Sequence, residues 1–468
     1  MVDLPQHAGQ VALWRDLLSS SSPWSELMRI NLFTPYLAGY GVALPLAFLM
    51  PAGTAIKVVL TCALLGFVAA CVALRKECRG DPRLDWLLIT PFFGFAWQFG
   101  FVTFLVVAPL VIVFVRFSLR HARACSIETS AILIGLGLLM LLSHGLAFVF
   151  ACAVGVALAT AHASSVRGLA STAVPYVMLG IAFVGFFAAS KGFDAPPASG
   201  VAGLSYSVGF ASRIAVLFAF NHGFTGEMAM VSMLLLLAPF AIGAVKDWRM
   251  AVPAAVLLLV ILAVPHSVMG TSYLFQRFDL FLLPLFIMMF AARPTAERNS
   301  DVRQHFAVAA MVLACWAGLA LMGHRLIAFG REAGEFDAVL AAAEPGKRAL
   351  AISVDASSVA VDHPVVYSHF ATWYQAEKKG LVDFNFANFH PQVVRYRPEH
   401  MPPAGIEFDR ASHNVDWKKH RARDYDYYFV RHGRWPIPPQ LIANGECRIE
   451  TVAVSGAWTL LARGACQD

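Results

Sequence analysis

Five stretches of this chain, at about 54–74, 99–118, 169–190, 228–245 and 306–325, are apolar for long enough to cross a bilayer. Nothing else in the sequence constrains its fold as much. In hydrocarbon every backbone N–H and C=O must find its partner within the chain, so such stretches become helices. Shorter apolar runs occupy 84–96, 250–264 and 276–292. The run from 130 to 161 is too long for one span and is interrupted by Ser143-His144-Gly145, which predicts two short helices meeting at a polar break. With 58% hydrophobic and 14% charged residues over 468 positions, the fold class is an α-helical polytopic membrane protein of about 10–11 spans.

Arg and Lys orient the set. The connections at 75–83, 116–123, 162–168, 246–249 and 293–303 hold 13 basic residues: Arg75, Lys76, Arg79, Arg83, Arg116, Arg120, Arg123, Arg167, Lys246, Arg249, Arg293, Arg298 and Arg303. The alternate connections hold only three, Lys191, Arg213 and Arg277. The first set is therefore expected in the cytoplasm and the second outside. The basic excess is topological and lacks the aromatic interleaving of a nucleic-acid surface, so no nucleic-acid partner is expected. Segment 33–50 contains Pro35, Pro45 and two glycines and is followed by Pro51. It reads as a bent interfacial helix on the outer face rather than a span, which leaves residues 1–53 as an external loop with juxtamembrane helices and ten spans after it.

Beyond Arg325 the pattern changes. Residues 326–345 are expected to form an amphipathic linker helix with Phe329, Phe336, Val339 and Leu340 on one side. Short β-rich runs follow ("ALAISV", "PVVYSHF", "VVRY", "YDYYFVR", "RIETVAV", "WTLLAR"), interleaved with helical stretches near 369–379 and 437–444. Residues 346–468 therefore read as a C-terminal external α/β domain. "RIETVAVSGAWTLLAR" is a hairpin turning at Ser455-Gly456. Folding it there brings Cys447 and Cys466 together as a disulfide candidate in an oxidising periplasm. Cys62, Cys71, Cys78, Cys125, Cys152 and Cys315 lie in or beside apolar segments and read as small hydrophobes.

Polar residues at the outer ends of spans carry the chemical information, because a membrane enzyme or transporter must present polar groups at depth. Four places qualify: Asp3, Gln6 and His7; Trp97 and Gln98; Ser143 and His144; and Tyr273, Gln276, Arg277 and Asp279, with His266 just before them. Each has a purely structural alternative. Asp3 can cap the helix expected at 9–19, since Asp followed by Pro two residues on is a common helix start, and His144 can serve backbone freed at the helix break. Trp97 can belong to an interfacial belt, and Arg277 can snorkel to headgroups. An arginine also suits phosphate, since its planar fork binds two oxygens. His363, His369, His390, His400, His413, His420 and His432 show no metal-ligand spacing and read as surface or structural histidines. There is no glycine-rich phosphate loop, nucleophile elbow or HExxH.

The order of these features resembles bacterial members of the GT-C superfamily, polytopic glycosyltransferases that take a sugar from a polyprenyl-phosphate carrier. "DLPQH" is similar to the acidic stretch of that family's first external loop, with Asp3 in the position of the catalytic base. Segment 33–50 resembles the juxtamembrane helix, and "FAWQFGFVTFLVVAPL" the second outer loop with its following span; "LLSHGLAF" and "YLFQRFDLFLLPL" are similar to stretches in bacterial relatives. The family's first span has no counterpart before Met1, which reads as a displaced start or a fragment. The loop around Trp97 has no carboxylate, so no metal and no other cofactor is expected, and a lipid-monophosphate sugar is the implied donor.

The resemblance implies inverting transfer on the outer face of a bacterial inner membrane to a glycan, lipid or protein acceptor. Asp3 and His7 are the expected catalytic residues. Gln6, Trp97, Gln98, His144, Tyr273, Gln276 and Arg277 are the expected substrate-binding set. There are two rival readings: a lipid or polysaccharide transporter, opposed because no span shows a paired carboxylate or basic relay at mid-depth, and a non-catalytic envelope-assembly protein, which gains if Asp3 lies far from Arg277.

Overall fold

In this computed structural model residues 1–190, 204–218, 226–268, 271–292, 302–402 and 416–467 are described. Lys191, Arg293, Arg298 and His413 lie outside them, as does the Arg249 side chain.

The chain begins with α1 (Leu4–Leu18), a three-residue strand β1 (Met28–Ile30) and two short helices, α2 (Leu37–Gly41) and α3 (Leu44–Ala47). The 33–50 segment thus folds as two short helices, shorter than the membrane-length helices that follow. α4 (Ala52–Glu77) starts at Pro51, whose extended ψ of 139° sets the helix off, and closes on Arg75 and Lys76, cations that suit a helix C-terminus. At 1.5 Å per residue its 26 residues run about 39 Å. Ala52, Ala55, Ile56, Leu60, Ala63, Phe67, Ala70 and Leu74 recur every three or four positions and are buried, while Leu65 on the other side is exposed.

The bundle continues through α5 (Phe95–Phe99), α6 (Val102–Arg123), α7 (Ile127–Ser143), α8 (Gly145–His162), α9 (Val166–Ser190), α10 (Phe210–Val216), α11 (Gly226–Ala241) and α12 (Val252–Ala263). It ends with α13 (Leu282–Phe286) and α14 (Val302–Ala333). β2 (Val245–Lys246) and β3 (Phe290–Ala291) pair between them. Five of these helices, α4, α6, α8, α9 and α14, are long and apolar enough to cross a membrane. Shorter apolar helical stretches are α7, α11 and α12, and Leu37–Ala47, which holds α2 and α3. The apolar segments at 84–96 and 276–292 are built from 3-10 turns and short helices. The break expected at Ser143-His144 is present, with His144 ending α7 and beginning α8 in extended backbone.

Small residues let the helices close up. A Cβ on Gly155 would lie 2.4 Å from the Tyr176 ring, and one on Gly137 would lie 2.5 Å from Leu179, so α7, α8 and α9 meet at these glycines. Basic side chains gather at one end of the bundle. Arg116 and Arg120 reach Glu77 at 3.2 and 2.5 Å, and Arg83 reaches the Ile242 carbonyl.

At the opposite end α14 runs unbroken past residue 325, and a second helix, α15 (Glu335–Ala342), follows a one-residue break. The expected linker therefore divides between the two helices. The C-terminal sheet has the order β5 (Leu381–Val382), β4 (Arg348–Ser353), β7 (Tyr427–Arg431), β9 (Trp458–Cys466), β8 (Cys447–Ser455). β4 is parallel to β5 and β7, and β7, β9 and β8 are antiparallel. One face packs on Phe336, Val339, Tyr367, Phe370 and Trp458, and the other on Trp417, Tyr428, Val430 and Leu461. α17 (Pro439–Ile442) precedes β8. Cys447 and Cys466 are register partners at the open end of the hairpin and are joined in a disulfide.

Two β-rich runs do not enter this sheet. "PVVYSHF" forms turns leading into a 3-10 turn and α16 (Trp373–Lys378), because its aromatic residues pack under the sheet rather than pair along it. "VVRY" contributes β6 (Val394–Tyr396), which leaves the C-terminal sheet and pairs antiparallel with β1. Residues 381–397 are consequently stitched to the start of the chain rather than confined to a separate domain.

A candidate active site beneath the C-terminal domain

Residues 1–40 and 369–397 hold each other in place. Gln6 Nε2 donates to Phe384 O at 3.1 Å and its Oε1 accepts from Phe386 N at 2.9 Å. Gln10 Oε1 accepts from Val394 N, Trp24 Nε1 donates to Lys379 O, and Asn31 donates to Gln392 O. Gln6, expected to bind substrate, is instead a clamp. Both ends of its amide are spent on backbone, because a buried amide must be satisfied where it lies.

The first residues of α1 dock on the loop after α5. Val2 and Asp3 donate backbone N–H to Gln98 O and Phe99 O at 3.1 and 2.8 Å. Gly100 makes this approach possible. Its φ is +81°, and a Cβ there would stand 3.1 Å from the backbone nitrogens of both Asp3 and Leu4. Asp3 occupies the N-cap position of α1, yet its side chain makes no capping hydrogen bond. The carboxylate turns instead to His369 of the C-terminal domain, with Oδ1 3.4 Å from Nε2.

His7 lies one turn further along α1, buried, with Nδ1 2.6 Å from the Tyr40 hydroxyl, which also reaches Gln392 Oε1 at 3.0 Å. Burial lowers the imidazole to about 3. A hydrogen bond to Gly100 O opposes this and the Arg277 charge adds to it, so the ring is neutral at pH 7.

Arg277 is 4% exposed, which overturns the snorkelling alternative. Its guanidinium stacks over Phe101 at 4.0 Å and donates to Tyr273 O and Ser272 O at 3.0 and 2.7 Å. Tyr273 supplies that carbonyl from a left-handed backbone, φ +60°, uncommon for a bulky residue and a local strain at the site. The Arg277 charge acts on Asp3, His7, Tyr36 and His144, so these groups share one electrostatic neighbourhood. His144 is buried between Tyr36 and Phe104, at 5.3 and 5.2 Å, and its Nδ1 has no hydrogen-bond partner.

Next to this cluster is a cavity of about 370 Å³ between α5, α10, the 273–276 turn and residues 361–364. Phe95, Phe99 and Tyr273 give it aromatic walls; Gln98, Gln276 and Arg325 give it polar ones. Gln98 Nε2 and Gln276 Oε1 have no hydrogen-bond partner, while Gln276 Nε2 meets His266 Nδ1 at 2.8 Å. Asp279 is wholly buried and accepts the Phe95 N–H at 3.1 Å, which pins the start of α5. Trp97 departs from expectation. It packs edge-on against Phe93 at 5.2 Å and against Phe92 at 6.0 Å, and does not line the cavity.

Three of the four places therefore converge: Asp3 and His7, His144, and the Tyr273–Arg277 turn, with Gln98 on the cavity beside them. Sequence reasoning missed Tyr36, Tyr40, His369 and Gln392. The first two are four residues apart, a one-face helical spacing that could have been noticed. The last two come from the C-terminal domain, whose histidines read from the sequence as surface or structural ones. Among the described residues no group of three or more His, Cys, Asp or Glu side chains is placed to hold a metal ion.

No family model and no curated protein matches the sequence. Among solved structures the chain is similar to ArnT from Cupriavidus metallidurans in its apo state, with a TM-score of 0.51 at 12% identity over 98% of this chain and 93% of that one. At that identity the likeness shows the fold alone, a bundle of membrane-length helices carrying a C-terminal sheet domain.

Proposed function

We propose that this chain is a membrane glycosyltransferase that moves a sugar from a polyprenyl-phosphate donor to an envelope glycan, lipid or protein hydroxyl. The observation that carries the reading is the Asp3 carboxylate, released from its capping role and set in the field of a buried arginine. The shared fold with ArnT, a polyprenyl-phosphate-sugar-dependent glycosyltransferase, supports it.

In this reading the acceptor hydroxyl gives its proton to Asp3 as its oxygen attacks the anomeric carbon from the face opposite the phosphate. The C–O bond to phosphate breaks with inversion, and the departing charge develops toward Arg277. Two of the arginine's N–H groups are held by backbone carbonyls, so its orientation costs nothing at the moment of reaction. Neutral His7 orients through Tyr40 and carries no charge. Gln98 and Gln276 offer unpaired amide groups to hydroxyls of a sugar in the neighbouring cavity. The reading calls on no metal or other cofactor. The positive-inside rule supports a cytoplasmic basic end of the bundle and, with it, a periplasmic C-terminal domain at a bacterial inner membrane.

The full chain in liposomes, given radiolabelled polyprenyl-phosphate hexose or pentose and an envelope lipid fraction, is expected to release polyprenyl phosphate as label enters the acceptor. Arg277→Gln should slow that release at least a hundredfold, within the range for loss of an electrostatic stabiliser. Release that is as fast in Arg277→Gln, or label accepted from nucleotide sugars alone, contradicts the reading.

A further inference from the structure

We propose that His369, brought in by the C-terminal domain, is the positioning residue for the Asp3 carboxylate, so that this domain completes the site instead of only covering it. The proposal rests on the reading of Asp3 as the base. Three observations support it. A carboxylate at a helix N-cap ordinarily turns back to the N2 or N3 amide, and Asp3 does not. Its oxygen lies 3.4 Å from His369 Nε2, with 16% of the Asp3 side chain and 18% of the His369 side chain exposed.

The histidine is itself held: its ring stacks on Phe384 with centroids 5.1 Å apart and planes 14° from parallel. Phe384 in turn receives the Gln6 amide through its carbonyl, and Gln6 sits three residues after Asp3 on α1. Asp3 and Gln6 therefore both hold the His369–Phe384 stack, and the angle of the carboxylate is set by that stack as much as by α1. Other ionisable groups acting on or with Asp3 include the Met1 amino group, Arg277, Tyr40 and Tyr273. Arg277 supplies charge, and His369 fixes direction. A base must lie within hydrogen-bond reach of the proton it removes, and misplacement by an ångström is costly.

The test uses the full chain with histidine labelled at Cε1, in nanodiscs, and the His369 resonance identified by its loss in His369→Gln. Its titration midpoint is expected to fall by about one pH unit in Asp3→Asn, the usual effect of removing an opposite charge at this range. An unchanged midpoint overturns the pairing whether or not sugar is transferred. In the transfer assay His369→Leu should lower the turnover rate at least tenfold with the donor KM unchanged, and His369→Gln, which keeps a donor near the Nε2 position, should recover most of it. Wild-type turnover in His369→Leu overturns the positioning role. A wild-type chain that transfers nothing while the midpoint still moves overturns the glycosyltransferase reading and leaves the pair standing.

Discussion

The imidazole of His7, 5% exposed and lowered to about 3 from an ordinary 6.5, makes the chain sensitive to acid in a definite direction. Between those two values the unfolded protein binds a proton that the folded protein refuses, so stability is lost as pH falls below 6.5. The loss is about 1.4 kcal/mol per unit, or about 2 kcal/mol at pH 5. Melting in detergent is expected to fall between pH 7.5 and pH 5, and His7→Gln should flatten that fall; a slope that persists in the variant counts against the assignment. Tyr40 hangs on the same ring. Tyr40→Phe leaves His7 Nδ1 and Gln392 Oε1 without their shared hydroxyl, a cost of about 1–3 kcal/mol for buried groups left unpaired. A variant that melts with wild type would show that the bridge contributes little.

Among the elements, α4 and α16 meet where a glycine permits it. A Cβ on Gly53 would stand 2.7 Å from the Trp373 ring, so Gly53→Leu should push the C-terminal segment off the helix. Overpacking of this kind costs about 1–3 kcal/mol; a drop in melting temperature with faster proteolysis near residue 379 is expected, and an unchanged digest contradicts it. At the far end of the sheet the Cys447–Cys466 bond closes a loop with a sequence separation of 19. Its removal by paired serine substitutions should cost about 2–3 kcal/mol of hairpin stability and leave transfer intact, since the site is on other elements.

The elements also explain what the sequence could reveal. The helix break at His144 and the hairpin at Ser455 were legible, because a polar interruption and a turn signal are local. The β1–β6 pair was not, because three-residue strands far apart in the chain carry no pattern of their own. "PVVYSHF" misled because β-branched and aromatic residues serve a packed turn as well as a strand. His369 was hidden for a related reason: a histidine paired through the fold has no neighbouring ligand in the sequence to announce it.

At the scale of the whole molecule, basic side chains mark one end of a helical bundle, and a sheet domain closes the other over a buried arginine and a carboxylate. The assembly reading gained if Asp3 were remote from Arg277, and the two lie within electrostatic range. The most direct measurement is the rate of label transfer from a polyprenyl-phosphate sugar by Asp3→Asn beside wild type, at equal expression and equal melting temperature. Loss of a general base predicts a rate lower by a hundredfold or more; a rate within a few-fold of wild type would contradict the assignment of Asp3 as the base.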